Sequence, residues 1–178
     1  WKKAYEDSLS RIMLSIAEHL PALKFVRILD IGSGMGGINI LMNNHYEGRV
    51  EINLLDGVDS PPRVERHNQP FNNLRVARNF LVDNGIKVVT PWSHLSFPPG
   101  SFDIITSYAA WCFHISPHIY LEQVRRACHG NTMLILDVRK HKGWDAWLRR
   151  NFSECKQVAE GEKYTRLILR GIRDESDD

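Results

Sequence analysis

The sequence predicts an α/β fold: a doubly wound, mostly parallel sheet with helices on both faces, closed by an antiparallel hairpin at the C-terminal end. Three observations predict it. Apolar strand-like runs alternate with helix-period segments from Phe25 to Val138, the pattern of a parallel sheet joined by crossover helices. The stretch "LDIGSGMGG", Leu29 to Gly37, places a glycine-rich turn between the first strand and the next helix. Two final runs, "KQVAE" and "YTRLILRG", follow one another across "GEK" with no helix between them, which reads as a hairpin.

Each element follows from its residues. Tyr5, Leu9, Ile12, Met13, Ile16 and Leu20 fall at helical spacing, so an amphipathic helix occupies residues 1–21 and ends before Pro21. "FVRILDI" is a buried strand, "INILMNN" the helix after the glycine turn, and "VEINLLD" a second buried strand. Prolines make "GVDSPPRVERHNQPF" a loop, and helix returns in "NLRVARNFLVDNG", where Leu74, Ala77, Phe80 and Leu81 form the stripe and Asn84-Gly85 suits a C-terminal cap. "IKVVT", "FDIITSY" and "TMLILDV" supply strands three to five. Between the last two, Ser116 and Pro117 read as N-cap and first residue of a helix running to His129-Gly130. "GWDAWLRRNF" is a short helix before the hairpin, and residues 171–178 read as a polar, frayed end.

At 178 residues the chain is one domain, 1–178, whose sites must be built from its own loops. With 43% hydrophobic and 25% charged residues it sits near the globular average. A net charge of +2 disfavours a dedicated nucleic-acid binder. Cys112, Cys128 and Cys155 are odd in number and lack C-x-x-C spacing, so neither a disulfide framework nor a zinc site is expected and a reducing, cytoplasmic setting is. No apolar run is long enough to span a bilayer, and "WKKAYEDSLS" is too polar for a signal peptide. The first residue is Trp1 and not Met, which implies missing residues before it.

The glycine turn can be parsed as D-x-G-x-G-x-G from Asp30 or as G-x-G-x-x-G from Gly32. Either way the glycines admit a ligand close to the backbone and the next helix offers free N–H groups. Asp30 discriminates. A carboxylate there repels a pyrophosphate but accepts hydrogen bonds from an ammonium group, directly or through water. Asp56 ends the second strand, where an acidic residue can take both ribose hydroxyls of either cofactor class.

At these residues the chain resembles the class I S-adenosylmethionine-dependent methyltransferases, a Rossmann-like fold. "ILDIGSGMGG" is similar to the family's first motif and "INLLDG" to its second. "HLSFPPGSFDIITSYAAW" looks like the segment leading into strand four, and "RRACHGNTMLILDV" like the helix, turn and fifth strand that follow. The resemblance implies S-adenosylmethionine as cofactor, with S-adenosylhomocysteine as product. It implies a donor site at Asp30, Gly32, Ser33, Gly34, Gly36, Asp56, Gly57 and Ser107. The terminal hairpin matches the reversed sixth and seventh strands of that fold, and a nicotinamide reading accounts for neither it nor Asp30. The family often has an acidic residue after strand three; here Pro91 or Trp92 stands there, so adenine is expected to stack on Trp92 or meet backbone near Ser93.

Methyl transfer chiefly needs positioning and exclusion of water, with a base only where the acceptor must lose a proton. His114 in "SYAAWCFHISP" is a candidate base, or else fixes its loop; His118 is expected to be structural. Tyr108, Trp111 and Arg139 are candidate acceptor contacts, and Trp144 and Trp147 are more simply core. Arg63, Arg66, Arg139, Lys140 and Lys142 would ring the pocket mouth, either solvated or binding an anion. No metal site is expected: a helix start separates His114 from His118, and Asp137 has no adjacent acidic or Asn partner. Strand four ends in "SYAAW", unlike enzymes acting on exocyclic base amines, and Cys112 lacks the context of cytosine-C5 enzymes. The expected acceptor is a small-molecule or sugar-like hydroxyl; RNA or protein, or a non-catalytic cofactor-binding subunit with a partner chain, are the alternatives.

Overall fold

The computed structural model describes residues 2–57 and 73–173. Along them run α1 (Lys2–Ile16), β1 (Val26–Ile31), α2 (Ile38–His45), β2 (Val50–Asp56), α3 (Leu74–Asp83), β3 (Val89–Ser93), β4 (Ile104–Ser107), α4 (Leu121–Ala127), β5 (Met133–Arg139), α5 (Trp144–Asn151), β6 (Phe152–Glu160) and β7 (Tyr164–Ile172). The seven strands form one sheet in the order β3-β2-β1-β4-β5-β7-β6. β1 to β5 are parallel; β7 is antiparallel to β5, and β6 to β7. The expected doubly wound sheet with its reversed hairpin is therefore the observed one.

Strand alternation divides the core in two. In β1, Val26 and Ile28 join Met42 of α2 and Leu81 of α3 in one apolar layer, while Leu29 and Ile31 join Val124 of α4 and Leu148 of α5 in the other. Both sheet faces are thus covered, which is why the central parallel strands read as largely apolar runs. Against that background the polar residues stand out. Asp30, Thr106, Asp137 and Arg166 are all at most 5% exposed, and the register pairs Asp30 with Thr106 and Asp137 with Arg166. They form a polar row near the carboxyl ends of β1, β4 and β5.

Several boundaries differ from the sequence reading. β3 starts three residues later than "IKVVT" and runs through Pro91; it is an edge strand, where a residue without an N–H is tolerated. The helix expected from Ser116 begins as a 3-10 turn, Pro117–Ile119, and Ser116 makes no side-chain cap. β6 extends back to Phe152, directly after α5, and β7 continues through Gly171 and Ile172, so the polar end starts later than residue 171. The Asn84-Gly85 cap forms as expected: Gly85 has φ +89 and Ile86 N donates to Leu81 O. Asn73 caps the start of α3 by accepting from Val76 N at 3.1 Å. The proposed anion contacts Arg63 and Arg66 lie outside the described residues. Among the described residues no helix is long and apolar enough to cross a membrane.

Candidate functional site

The turn after β1 is shaped by its neighbours. Gly32 has φ +70, and a side chain there would collide with the Cβ of Ala110, so glycine lets the loop after β4 close onto the turn. Gly32 N donates to Leu55 O at 2.7 Å. The Asp56 carboxylate, at the end of β2, accepts from Gly34 N at 2.6 Å and from Gly57 N at 2.7 Å. Gly57 in turn leaves room for the His94 ring, which fills the place of its missing side chain.

Asp30 is held below this turn. Its carboxylate accepts from Asn39 Nδ2 at 2.7 Å and Thr106 Oγ1 at 3.0 Å. Burial pushes its pKa up to about 6; the bonds from Asn39 and Thr106 pull the other way, and the Asp56 charge adds to the rise. The Ser33 hydroxyl is buried without a hydrogen-bond partner among the described residues.

Asp30, Gly32, Ser33 and Gly34 open onto a cavity of about 780 Å³. Tyr5, Leu9 and Ile12 of α1 line one wall; Tyr108, Ala109 and Phe113 of the loop after β4 line another; Tyr164 and Arg166 of β7 and the turn at Gly161 complete it. Asp137 also lines it, bound by Arg166 through Nε (2.8 Å) and Nη2 (3.0 Å). Arg166 Nη1 donates to Ser15 Oγ of α1 at 3.0 Å. The guanidinium carbon lies 5.2 Å from the ring centroids of both Tyr108 and Tyr164, within cation–π range.

The loop after β4 is tightly folded. Ala109 and Cys112 adopt positive φ, +57 and +65, uncommon for residues with a side chain. Ala110 O accepts from the backbone N–H groups of Phe113, His114 and Ile115, and Cys112 O accepts from Arg139 N. This fold corrects several expectations. Trp111 is fully buried, its indole donating to Pro117 O at 3.0 Å, so it is core and not an acceptor wall. Ser107 is fully buried too: its hydroxyl donates to Ile31 O (2.8 Å) and accepts from Trp111 N (2.9 Å), which fixes the loop to β1 and engages the hydroxyl within the protein. Phe113, not His114, lines the cavity. His114 is exposed, edge-on to the Phe113 ring, and Arg139 stacks on that same ring at 5.0 Å, so neither stands at the wall.

Other placements complete the comparison. Gly36 backs onto Leu81 and Leu54 and serves packing. The Trp92 indole donates to Asn53 Oδ1 at 2.8 Å and packs on the core layer of Leu55. Ser93 pairs with Asp56 in the sheet register, and Gly57 follows at the same end. His118 packs its ring against Trp147, which with Trp144 borders the core, and Lys140 pairs with Glu160. Tyr5, Asn39, His94, Phe113, Tyr164 and Arg166 were missed. For Arg166 a signal existed: it is a charged residue that directly precedes the apolar run Leu167, Ile168 and Leu169.

No protein-family model and no curated protein matches the sequence. Solved structures do match the fold. A ribosomal protein L11 methylase from Lactobacillus delbrueckii subsp. bulgaricus is 17% identical with a TM-score of 0.63, covering 90% of this chain and 77% of that one. A SAM-dependent methyltransferase from Aquifex aeolicus is 14% identical with a TM-score of 0.64, covering 94% and 98%. A precorrin-6y C5,15-methyltransferase from Geobacter metallireducens GS-15 is 14% identical with a TM-score of 0.60, covering 90% and 86%. At these identities the likeness is one of fold.

Two outcomes follow from the geometry. Ser107→Ala strands the Trp111 N–H inside the core, so urea denaturation is expected to show a loss of about 1–3 kcal/mol, with ligand affinity unchanged; a loss of affinity with no loss of stability would restore Ser107 as a ligand contact. For Asp30 the folded pKa is raised above the ordinary 3.8, so its contribution is fully present below about pH 4 and is lost as pH rises through about 6. The stability difference between the native chain and Asp30→Asn is expected to shift by roughly 3 kcal/mol across that window. Equal pH slopes in the two proteins would refute it.

Proposed function

The chain has the class I S-adenosylmethionine-dependent methyltransferase fold, and on that premise we propose that it transfers a methyl group from S-adenosylmethionine to an oxygen of a small or sugar-like acceptor. The observation that carries this reading is the cavity itself: it begins at the glycine turn, includes the Asp30 carboxylate, and continues between α1, the loop after β4 and β7. The residues present suit the donor. The turn offers backbone without side chains, the Ser33 hydroxyl has an unused hydrogen-bonding capacity, and two carboxylates stand at the ends of β1 and β2. In this reading Asp30 receives the ammonium of the methionine moiety, Gly32 to Gly34 pass beneath it, Asp56 takes the ribose hydroxyls, and Gly57, Ser93 and His94 border the base.

When bound, the donor would supply a methyl group on a sulfonium, taken up by the acceptor oxygen while the carbon–sulfur electron pair stays on sulfur and the hydroxyl proton leaves to a carboxylate of the cavity wall. The protein's part is placement and dryness. Phe113, held by Arg139 and the tight loop, and the α1 residues Tyr5, Leu9 and Ile12 give the cavity apolar walls. Its volume of about 780 Å³ lies within the range of small-molecule sites. The named neighbours act on a ribosomal protein and on a precorrin, so the fold alone does not choose the acceptor.

Calorimetric titration with S-adenosylhomocysteine, with NAD as comparator, tests the donor. S-adenosylhomocysteine is expected to bind and NAD not to. Asp56→Ala, which removes a carboxylate acceptor, is expected to weaken binding by about 10- to 100-fold, with circular dichroism confirming that the variant folds. Binding of NAD alone would overturn the reading.

A further inference from the structure

The proposed donor site leaves the Tyr108 hydroxyl unused. Tyr108 lines the cavity, yet its hydroxyl is closed to solvent and has no hydrogen-bond partner among the described residues. A buried hydroxyl left unpaired lowers stability, and such groups call for an explanation. The group is not adrift: the Arg166 guanidinium stacks on its ring, and the charges of Arg166, Asp30 and Asp137 all act on the hydroxyl. Burial pushes its pKa well above the ordinary value, so it remains a phenol, able to donate as well as accept.

Beside it Asp137, which also lines the cavity, has each carboxylate oxygen engaged by Arg166 and keeps an accepting lone pair on each. The Arg166 and Asp137 charges cancel, so this part of the wall has strong hydrogen-bonding groups but no net charge. A carboxylate or phosphate on the acceptor would face Asp137, and an ammonium would face Arg166. A neutral hydroxyl satisfies both Tyr108 and Asp137.

We propose that Tyr108 and Asp137 form the acceptor's seat, holding the reacting hydroxyl of a neutral compound such as a glycoside or a phenol, with Arg166 as the positioning residue; as the oxygen takes the methyl group, its proton passes to the Asp137 carboxylate. This rests on the methyltransferase reading and names the acceptor class within it.

The test uses S-adenosylmethionine with methyl glycosides and simple phenols as acceptor probes, benzoate and benzylamine as charged counterparts, and mass detection of the methylated product. The expected result is transfer to a neutral hydroxyl probe in preference to both charged ones. In Tyr108→Phe, kcat/KM for that probe falls by about 10- to 100-fold, while S-adenosylhomocysteine affinity stays within about twofold. The same variant, relieved of an unpaired hydroxyl, melts higher by about 2–4 °C, an effect a residue serving structure alone would not combine with lost turnover. Three results overturn the proposal. One is preference for a charged probe. Another is weakened S-adenosylhomocysteine binding with 5′-methylthioadenosine binding unchanged, which would give the hydroxyl to the donor's amino-acid end. The third is no probe methylated by a protein that binds S-adenosylhomocysteine. Failure to bind S-adenosylhomocysteine at all would instead remove the donor reading and this inference with it.

Discussion

The contact on which the site depends is the closure of the loop after β4 onto the glycine turn, where Ala110 occupies the space a side chain at Gly32 would need. It sets the distance between β1 and β4 above the sheet. With the turn and loop pressed together, Ser107 can join Ile31 to Trp111 through one hydroxyl, and the loop must fold back sharply, at the expense of two strained residues. That fold-back is what brings Phe113 to the cavity. The glycine here is thus less a passage for a ligand than a seat for a neighbouring loop, and the ligand space is what remains beside it.

The second organising contact is ionic. Arg166 joins β7 to β5 through Asp137 and reaches α1 through Ser15. Removing one member of such a buried pair generally costs several kcal/mol, whereas apolar replacement of both is often tolerated, so burial alone does not account for charges in this place. Their position along a cavity wall does. The antiparallel hairpin also contributes more than an extra strand: because β7 runs against β5, an arginine near its start lies level with an aspartate near the end of β5.

The centre of the sheet was legible in the sequence because β1, β2, β4 and β5 are largely buried, and mostly apolar runs need no partner to be recognised. The hairpin and the cap at Gly85 were legible for the same local reason. Boundaries failed where tertiary context overruled local preference. Pro91 reads as a strand breaker, yet an edge position accommodates it. The site was half legible. Asp30, Asp56 and the glycines announce themselves through spacing. The loop after β4 does not: left-handed turns at Ala109 and Cys112 hide which of its residues face inward, so nothing in the sequence marks Phe113 as a cavity residue or Trp111 as core. Arg166 escaped because its meaning lies in a partner 29 positions away.

The sheet's two outer strands have a consequence for how this molecule meets others. β3 carries Pro91 on one edge, and β6 on the other carries exposed Glu154, Lys156 and Glu160 together with a break in register between Gln157 and Ala159. Proline, charge and a bulge each hinder the docking of a foreign strand. Both margins of the sheet are thus disfavoured for edge-to-edge growth.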